Sequence, residues 1–305
     1  MKNKIAVFSF SCLTVLACDA PALSDAELSG SALQQSAQQA LARAIAKSHA
    51  KGGFVVIADA KTGAVLETAT AGIEQVPDRI DPASLMKPLL LAVALENELV
   101  SADEVLECGP GRSRWDNSPR LSAVDTVALS SNRCTARILE RVGAPKFAGG
   151  LQALGLTLVP TAAAPAHSPP AYEEDWLAQA GGCVSPAQLL AAYAVIANRG
   201  EQAGRPLLRV DTVNAVTRAL SLAVTQGTAR NARSARVDIA GKTATSLGSN
   251  PPCVTGQPMS AFIGFFPTEQ PQWVMLTAIV APEAPVPLGS RFAAPLFRDV
   301  VDGAH

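Results

Sequence analysis

A serine followed by a lysine at i+3, Ser84-Leu85-Met86-Lys87, is the first place where side-chain types and spacing suit covalent chemistry. On a helix these two positions share a face, so an unprotonated Lys87 could take the proton of the Ser84 hydroxyl as it attacks an acyl carbon. The positive end of a helix dipole favours the negative charge that develops nearby. The pattern is common by itself, and Ser48-His49-Ala50-Lys51 also fits it. That copy falls at the end of a predicted helix and runs into Gly52-Gly53, whereas Ser84 opens a long apolar stretch just after Pro82.

Two later groups carry complementary chemistry. In Ser130-Ser131-Asn132 the Ser130 hydroxyl can relay a proton and the Asn132 amide can hold a substrate peptide bond. In Lys242-Thr243-Ala244-Thr245 a strand would present a cation and a hydroxyl to a carboxylate, with the Thr245 backbone N–H as an oxyanion donor. Taken singly, the first is an ordinary helix cap and the second an exposed edge pair. Their order and spacing behind Ser84 and Lys87 give them more weight together than apart.

The elements that must position these groups follow from periodicity. Leu33, Ala37, Ala40, Leu41 and Ile45 recur at helical spacing and predict a first helix over 32–47. Phe54 to Asp59 reads as a buried strand, Lys61-Thr62-Gly63 as a turn, and Ala64 to Thr68 as a returning strand. Further helices are predicted over 84–99, 125–142, 145–154, 186–198, 213–224 and 290–301, and strands over 237–245, 259–265 and 273–281. The stretch 160–172, rich in Pro and Ala, reads as an extended loop. This order predicts an α+β fold in which both chain ends complete one antiparallel sheet flanked by helices, with the central helices forming an all-α lobe.

Composition narrows the possibilities. The chain has 305 residues, 48% hydrophobic and 17% charged, enough for one large globular unit with an inserted lobe. A net charge of -1 and no long basic run argue against a nucleic-acid partner. Lys2 and Lys4 precede an apolar stretch from Ile5 to Ala17, which reads as an export signal within residues 1–22. Val15-Leu16-Ala17-Cys18 looks like a lipoprotein cleavage box, making Cys18 a candidate for lipidation and membrane attachment; ordinary cleavage near Ala20-Pro21-Ala22 is the alternative. No later apolar run is long enough to span a bilayer. The expected location is the periplasm or cell envelope. Cys108, Cys134, Cys183 and Cys253 remain, an even number suited to two disulfides in an oxidising compartment, with three possible pairings. They lack C-x-x-C spacing, and the histidines are only His49, His167 and His305, so no metal is expected.

The ordered set S-x-x-K, S-x-N and K-T-G resembles the penicillin-binding and serine β-lactamase superfamily. Asp81-Pro82-Ala83-Ser84-Leu85-Met86-Lys87-Pro88 is similar to the nucleophile segment of the class B transpeptidases. Val184 to Ala194, with Ala197-Asn198-Arg199-Gly200, resembles the family's T-P-x-Q-L-A-x-A-Y-A segment and its A-N-x-G ending, and Gln226-Gly227-Thr228-Ala229 is also typical. The resemblance implies a β-lactamase/transpeptidase-like domain over about 25–305, with a sheet lobe over about 25–82 and 205–305 and a helical lobe over about 83–204. It implies Ser84 as the acylated nucleophile, Lys87 as its base, Ser130 as the proton shuttle and Asn132 as the group that orients the substrate. Lys242 and Thr243 would bind the terminal carboxylate of a D-Ala-D-Ala peptidoglycan stem peptide, and the N–H groups of Ser84 and Thr245 would form the oxyanion hole. β-Lactam antibiotics would acylate the same serine, and no cofactor is implied. Proximity in the expected fold favours Cys108 with Cys134.

One departure bears on activity: the family's third motif ends in glycine and this chain has Ala244, whose methyl would narrow the cleft. The stretch between Leu66 and Ser84 is short for a class B enzyme, and no N-terminal pedestal is expected. Two other functions fit the same residues. A serine β-lactamase would need a base for deacylation, for which Glu174 is a loose candidate, and a non-catalytic sensor would keep the cleft without turnover.

Overall fold

The computed structural model describes residues 29–109, 118–160, 182–248, 253 and 257–305. The export segment with Cys18, most of the Pro/Ala-rich stretch and Glu173-Glu174 lie outside the described residues.

Helix α1 (Gly30–Ser48) begins where the Ser29 Oγ accepts the Ala32 N–H at 3.2 Å and ends at His49, whose backbone turns left-handed. Strands β1 (Gly52–Asp59) and β2 (Val65–Ala71) follow as a hairpin whose turn is held by Asp59 Oδ1 accepting from the Lys61 and Thr62 N–H groups. Next come a 3-10 turn (Ala83–Met86) and α2 (Lys87–Glu96), then a short ribbon of β3 (Val105–Glu107) and β4 (Arg120–Ser122). Helices α3 (Ala123–Ala128), α4 (Asn132–Val142) and α5 (Ala144–Ala153) continue the middle of the chain. After the pair β5 (Val159–Pro160) and β6 (Gly182–Cys183), α6 (Pro186–Ala197) and α7 (Val210–Thr225) flank a third ribbon, β7 (Glu201–Gln202) with β8 (Arg205–Pro206). The chain closes with β9 (Ala240–Ser246), β10 (Met259–Phe266), β11 (Trp273–Val280) and α8 (Ala293–Gly303).

The main sheet runs in the order β2-β1-β11-β10-β9, antiparallel at every junction, so both chain ends build it, as the sequence predicts. One face packs on α1 and α8 through Val55, Ile57, Phe262 and Met275 against Leu33, Leu41, Phe297 and Val300. Phe297 meets Phe262 edge-on at 4.7 Å between ring centroids, and such a buried aromatic side chain contributes roughly 2–3 kcal/mol by burial alone. The other face packs on α6 and α7 through Val56, Ile263 and Leu276 against Tyr193 and Leu220, and α2 with Leu89 packs on α7 in the same core. Helix α2 is buried all round from Lys87 to Leu95, which accounts for its unbroken apolar run.

Most boundaries shift by up to three residues, and three of the differences bear on the site. Ser84 lies in the 3-10 turn and the α-helix starts only at Lys87. The helix expected over 125–142 is broken between α3 and α4, with Ser130 in the left-handed region at φ 58°. The strand expected from Val237 begins at Ala240. Two disulfides join Cys108 to Cys134 and Cys183 to Cys253; the first is the pairing that the expected fold favours.

Candidate active site

Ser84 is partly exposed, on a turn bounded by buried Ala83 and Leu85. Ala83 has φ 42°, a left-handed backbone that costs an L-residue about 1–2 kcal/mol. The Asp81 Oδ1 steadies it by accepting the Ala83 N–H at 3.0 Å. From α6, the fully buried Tyr193 donates its hydroxyl to the Leu85 carbonyl at 2.8 Å. The residues on either side of the nucleophile are thus tied down, Ala83 by a local carboxylate and Leu85 by a side chain 108 positions away.

Lys87 enters from the first turn of α2 with 1% of its surface exposed. Its Nζ donates to the Ser130 carbonyl at 2.7 Å, to the Asn132 Oδ1 at 2.5 Å and to the Ser130 Oγ at 3.3 Å. The left-handed Ser130 turns its carbonyl and hydroxyl toward that lysine, while Ser131 caps α4 by accepting the Cys134 N–H at 3.2 Å. Next to Asn132, the buried Arg133 donates to the carbonyls of Cys108, Gly109 and Ser118, and the Cys108–Cys134 disulfide fastens the same helix end to the ribbon β3–β4.

Strand β9 supplies the opposite wall. Lys242 is completely buried and donates from Nζ to the Ser130 Oγ at 2.8 Å and to the Thr243 carbonyl at 2.9 Å. The Ser130 hydroxyl therefore sits between two amines. Burial, and after it the charge of Lys87, holds Lys242 well below the usual lysine range. A proton leaves it more readily than it leaves a surface lysine. The Thr243 hydroxyl lies 3.0 Å from that of Thr228, which the end of α7 delivers: Gly227 has no room for a Cβ against the Ala128 carbonyl, and the Thr228 N–H bonds to that carbonyl at 3.3 Å. Thr245 accepts the Gly289 N–H on its Oγ1 at 3.2 Å. Ser246 donates to the Asp81 Oδ2 at 2.7 Å, joining the end of β9 to the nucleophile turn.

The sequence-predicted residues are thus brought to one place by the 3-10 turn, α2, the α3–α4 break and β9. Ala244, 4% exposed, alternates onto the face of β9 that carries Lys242, within the core cluster that also holds Ala83, Leu85 and Met86. The decoy pair takes no part: Ser48 bonds to the Ala44 carbonyl at 2.7 Å and Lys51 to the Gln257 side chain at 3.0 Å. Asp81, Ser246 and Thr228 join the site without having been singled out for chemistry in the sequence. Only the family-like flank Gln226-Gly227-Thr228-Ala229 and the Asp-Pro before Ala83 hinted at two of them.

A model of the penicillin binding protein transpeptidase domain matches residues 53–302. The chain belongs to that family. Among its relatives, the probable peptidoglycan D,D-transpeptidase PenA of Neisseria flavescens is 27% identical over 320 residues, covering 89% of this chain and 80% of the relative. The PenA protein of Neisseria gonorrhoeae is equally similar at 27%, but there the chain spans only 55% of the relative's length. Among solved structures, the TP domain of Burkholderia pseudomallei penicillin-binding protein 3 superposes with a TM-score of 0.72 at 23% identity, covering 93% of this chain and 96% of that one. The transpeptidase domain of the FtsI4 D,D-transpeptidase from Legionella pneumophila gives 0.68 at 24% identity, covering 90% and 96%. The shared fold extends across most of the transpeptidase-family chain.

Proposed function

We propose that this protein is a penicillin-binding serine acyl-transferase acting on D-Ala-D-Ala stem peptides of peptidoglycan, as a D,D-transpeptidase or D,D-carboxypeptidase. The observation that carries this reading is the Ser130 hydroxyl held between the Lys87 and Lys242 amines, with Ser84 on the turn that leads into Lys87. In this reading Ser84 Oγ attacks the carbonyl carbon of the penultimate D-alanine and Lys87 accepts the hydroxyl proton. The tetrahedral oxyanion receives hydrogen bonds from the backbone N–H groups of Ser84 and Thr245. Ser130 hands a proton to the departing D-alanine amine, and its neighbouring amines resupply it. Asn132 holds the substrate peptide bond, while Lys242 and Thr243 take the terminal carboxylate. The ester at Ser84 then passes its acyl group to an amine or to water, and β-lactams form the same ester through their strained amide. The relatives named peptidoglycan D,D-transpeptidases support the reading.

Peptidoglycan lies outside the cytoplasmic membrane, so this function requires export. The apolar stretch Ile5 to Ala17 would direct it, and a lipid on Cys18 would then hold the protein at the envelope. Among the described residues no helix is long and apolar enough to cross a membrane.

Purified protein incubated with fluorescent penicillin should carry the label on the peptide containing Ser84. Ser84→Ala should lose the label and the release of D-alanine from a pentapeptide, and Lys87→Ala should lose both with its circular dichroism unchanged. Label on another residue, or undiminished acylation in either variant, would overturn the assignment. Rapid loss of label from the parent would favour β-lactamase activity, and label without D-alanine release would favour a sensor.

A further inference from the structure

One carboxylate touches both sides of the cleft. Asp81 Oδ1 accepts the N–H of Ala83 at 3.0 Å, and its Oδ2 accepts the hydroxyl of Ser246 at 2.7 Å. Ala83 is the residue before Ser84, and Ser246 is the residue after Thr245. The two backbone N–H groups assigned to the oxyanion hole are therefore each next in chain to a partner of the same side chain. Both partners are buried, Ser246 at 5% and Ala83 at 3% exposure, and the Asp81 bond offsets part of the strain of the left-handed Ala83 backbone.

We infer that Asp81 and Ser246 form a positioning clasp that sets the distance between the Ser84 and Thr245 N–H donors. The inference rests on the acyl-transfer reading of Ser84, because without it there is no oxyanion to bind. A short bidentate carboxylate has little freedom, so both donors are held before substrate arrives and need not reorganise as charge develops. Neither residue touches the reacting atoms. Strand β9 is the edge of the sheet, bonded to β10 on one side only, so the clasp also ties its outer end to the helical side of the molecule. Sequence separation hides the pair, since Asp81 and Ser246 lie 165 positions apart.

The test is the penicillin acyl-enzyme of full-length protein, measured by stopped-flow acylation and by the infrared stretch of its ester carbonyl. Hydrogen bonds in the oxyanion hole weaken that carbonyl and lower its frequency. Ser246→Ala, which removes one buried oxygen, should acylate at least about tenfold more slowly, less than the hundredfold or more expected from losing a donor outright. Its ester stretch should move to higher frequency, while Ser246→Thr, which restores the hydroxyl, should recover both rate and frequency. Asp81→Ala should match or exceed the effect of Ser246→Ala, and it serves in its place if Ser246→Ala does not fold. A carbonyl frequency unchanged in Ser246→Ala or Asp81→Ala would overturn the clasp even if the rate fell, because a purely structural defect slows acylation without altering the bonded ester. If the parent forms no ester at Ser84, the acyl-transfer reading and the clasp fail together. An ester in the parent with normal rate and frequency in the variants rejects the clasp alone.

Discussion

Lys242 is a completely buried amine whose Nζ meets a hydroxyl and a backbone carbonyl. Burial and the neighbouring Lys87 charge disfavour its protonated form, so its folded-state pKa lies well below 10.5 while the unfolded chain keeps the ordinary value. Between those two values the unfolded state binds more protons, so the contribution of Lys242 to stability increases as pH rises toward 10.5 and is least favourable below the lowered pKa. Replacing it by methionine removes that dependence. Lys242→Met should therefore be at least as stable as the parent at pH 7, with the difference shrinking as pH rises, while penicillin acylation falls by about a hundredfold. Denaturant titrations across a pH series, together with acylation rates, check this; a variant less stable at neutral pH would contradict it. Ser84, Lys87, Ser130, Asn132, Lys242 and Thr243 were legible in the sequence because each belongs to a short ordered pattern. The roles of Asp81, Ser246 and Tyr193 were not, although Asp81 and Tyr193 fall within family-like segments. Tyr193 lies 108 positions from the Leu85 carbonyl it holds, and no local spacing records such a contact.

Among the elements, β9 and the start of α4 decide how well those residues meet. The methyl of Ala244 fills buried space on the face of β9 shared with Lys242, beside the nucleophile turn. Ala244→Gly should widen the approach and raise the acylation rate by up to about tenfold, at a loss of roughly 0.5–1 kcal/mol from greater backbone freedom. Paired acylation and thermal-melt measurements test both parts, and an unchanged acylation rate would show that the methyl does not restrict the cleft. The start of α4 is fastened by Cys108–Cys134, closing a loop with a sequence separation of 26. Cys108→Ser should cost about 3 kcal/mol and slow acylation, since Ser130 and Asn132 precede Cys134 in the same turn and cap. Chemical denaturation of Cys108→Ser beside the parent, both without reductant, is the measurement, and equal stability would refute it. The long apolar run made α2 easy to find. The break before α4 is marked by no glycine or proline, and the cap-like Ser130-Ser131-Asn132 is its one local signal; the left-handed backbone of Ser130 goes with Lys87 binding its carbonyl, a tertiary contact that local propensity does not register.

At the scale of the whole molecule, the two ends of the chain meet in one sheet, with β1 paired to β11, and α1 beside α8. Apolar runs for the strands, helical periodicity and the order of these elements predict that arrangement, because each face of the sheet has its own apolar cover. Helix α7 packs on both α3 and β9, so the helical and sheet sides share a core and should unfold together.

That shared core contains Tyr193, one of two tyrosines in the chain, and its burial pushes the phenol well above 10.0. In the unfolded protein the same phenol would ionise near 10, so alkali beyond that point favours unfolding. The consequence is a built-in optical gauge of integrity. A spectrophotometric titration of the native protein should show no phenolate signal from Tyr193 until the fold gives way, and that step should disappear in Tyr193→Phe. Tyr193 holds the carbonyl next to Ser84, so the colour change and the loss of penicillin labelling should occur at the same pH.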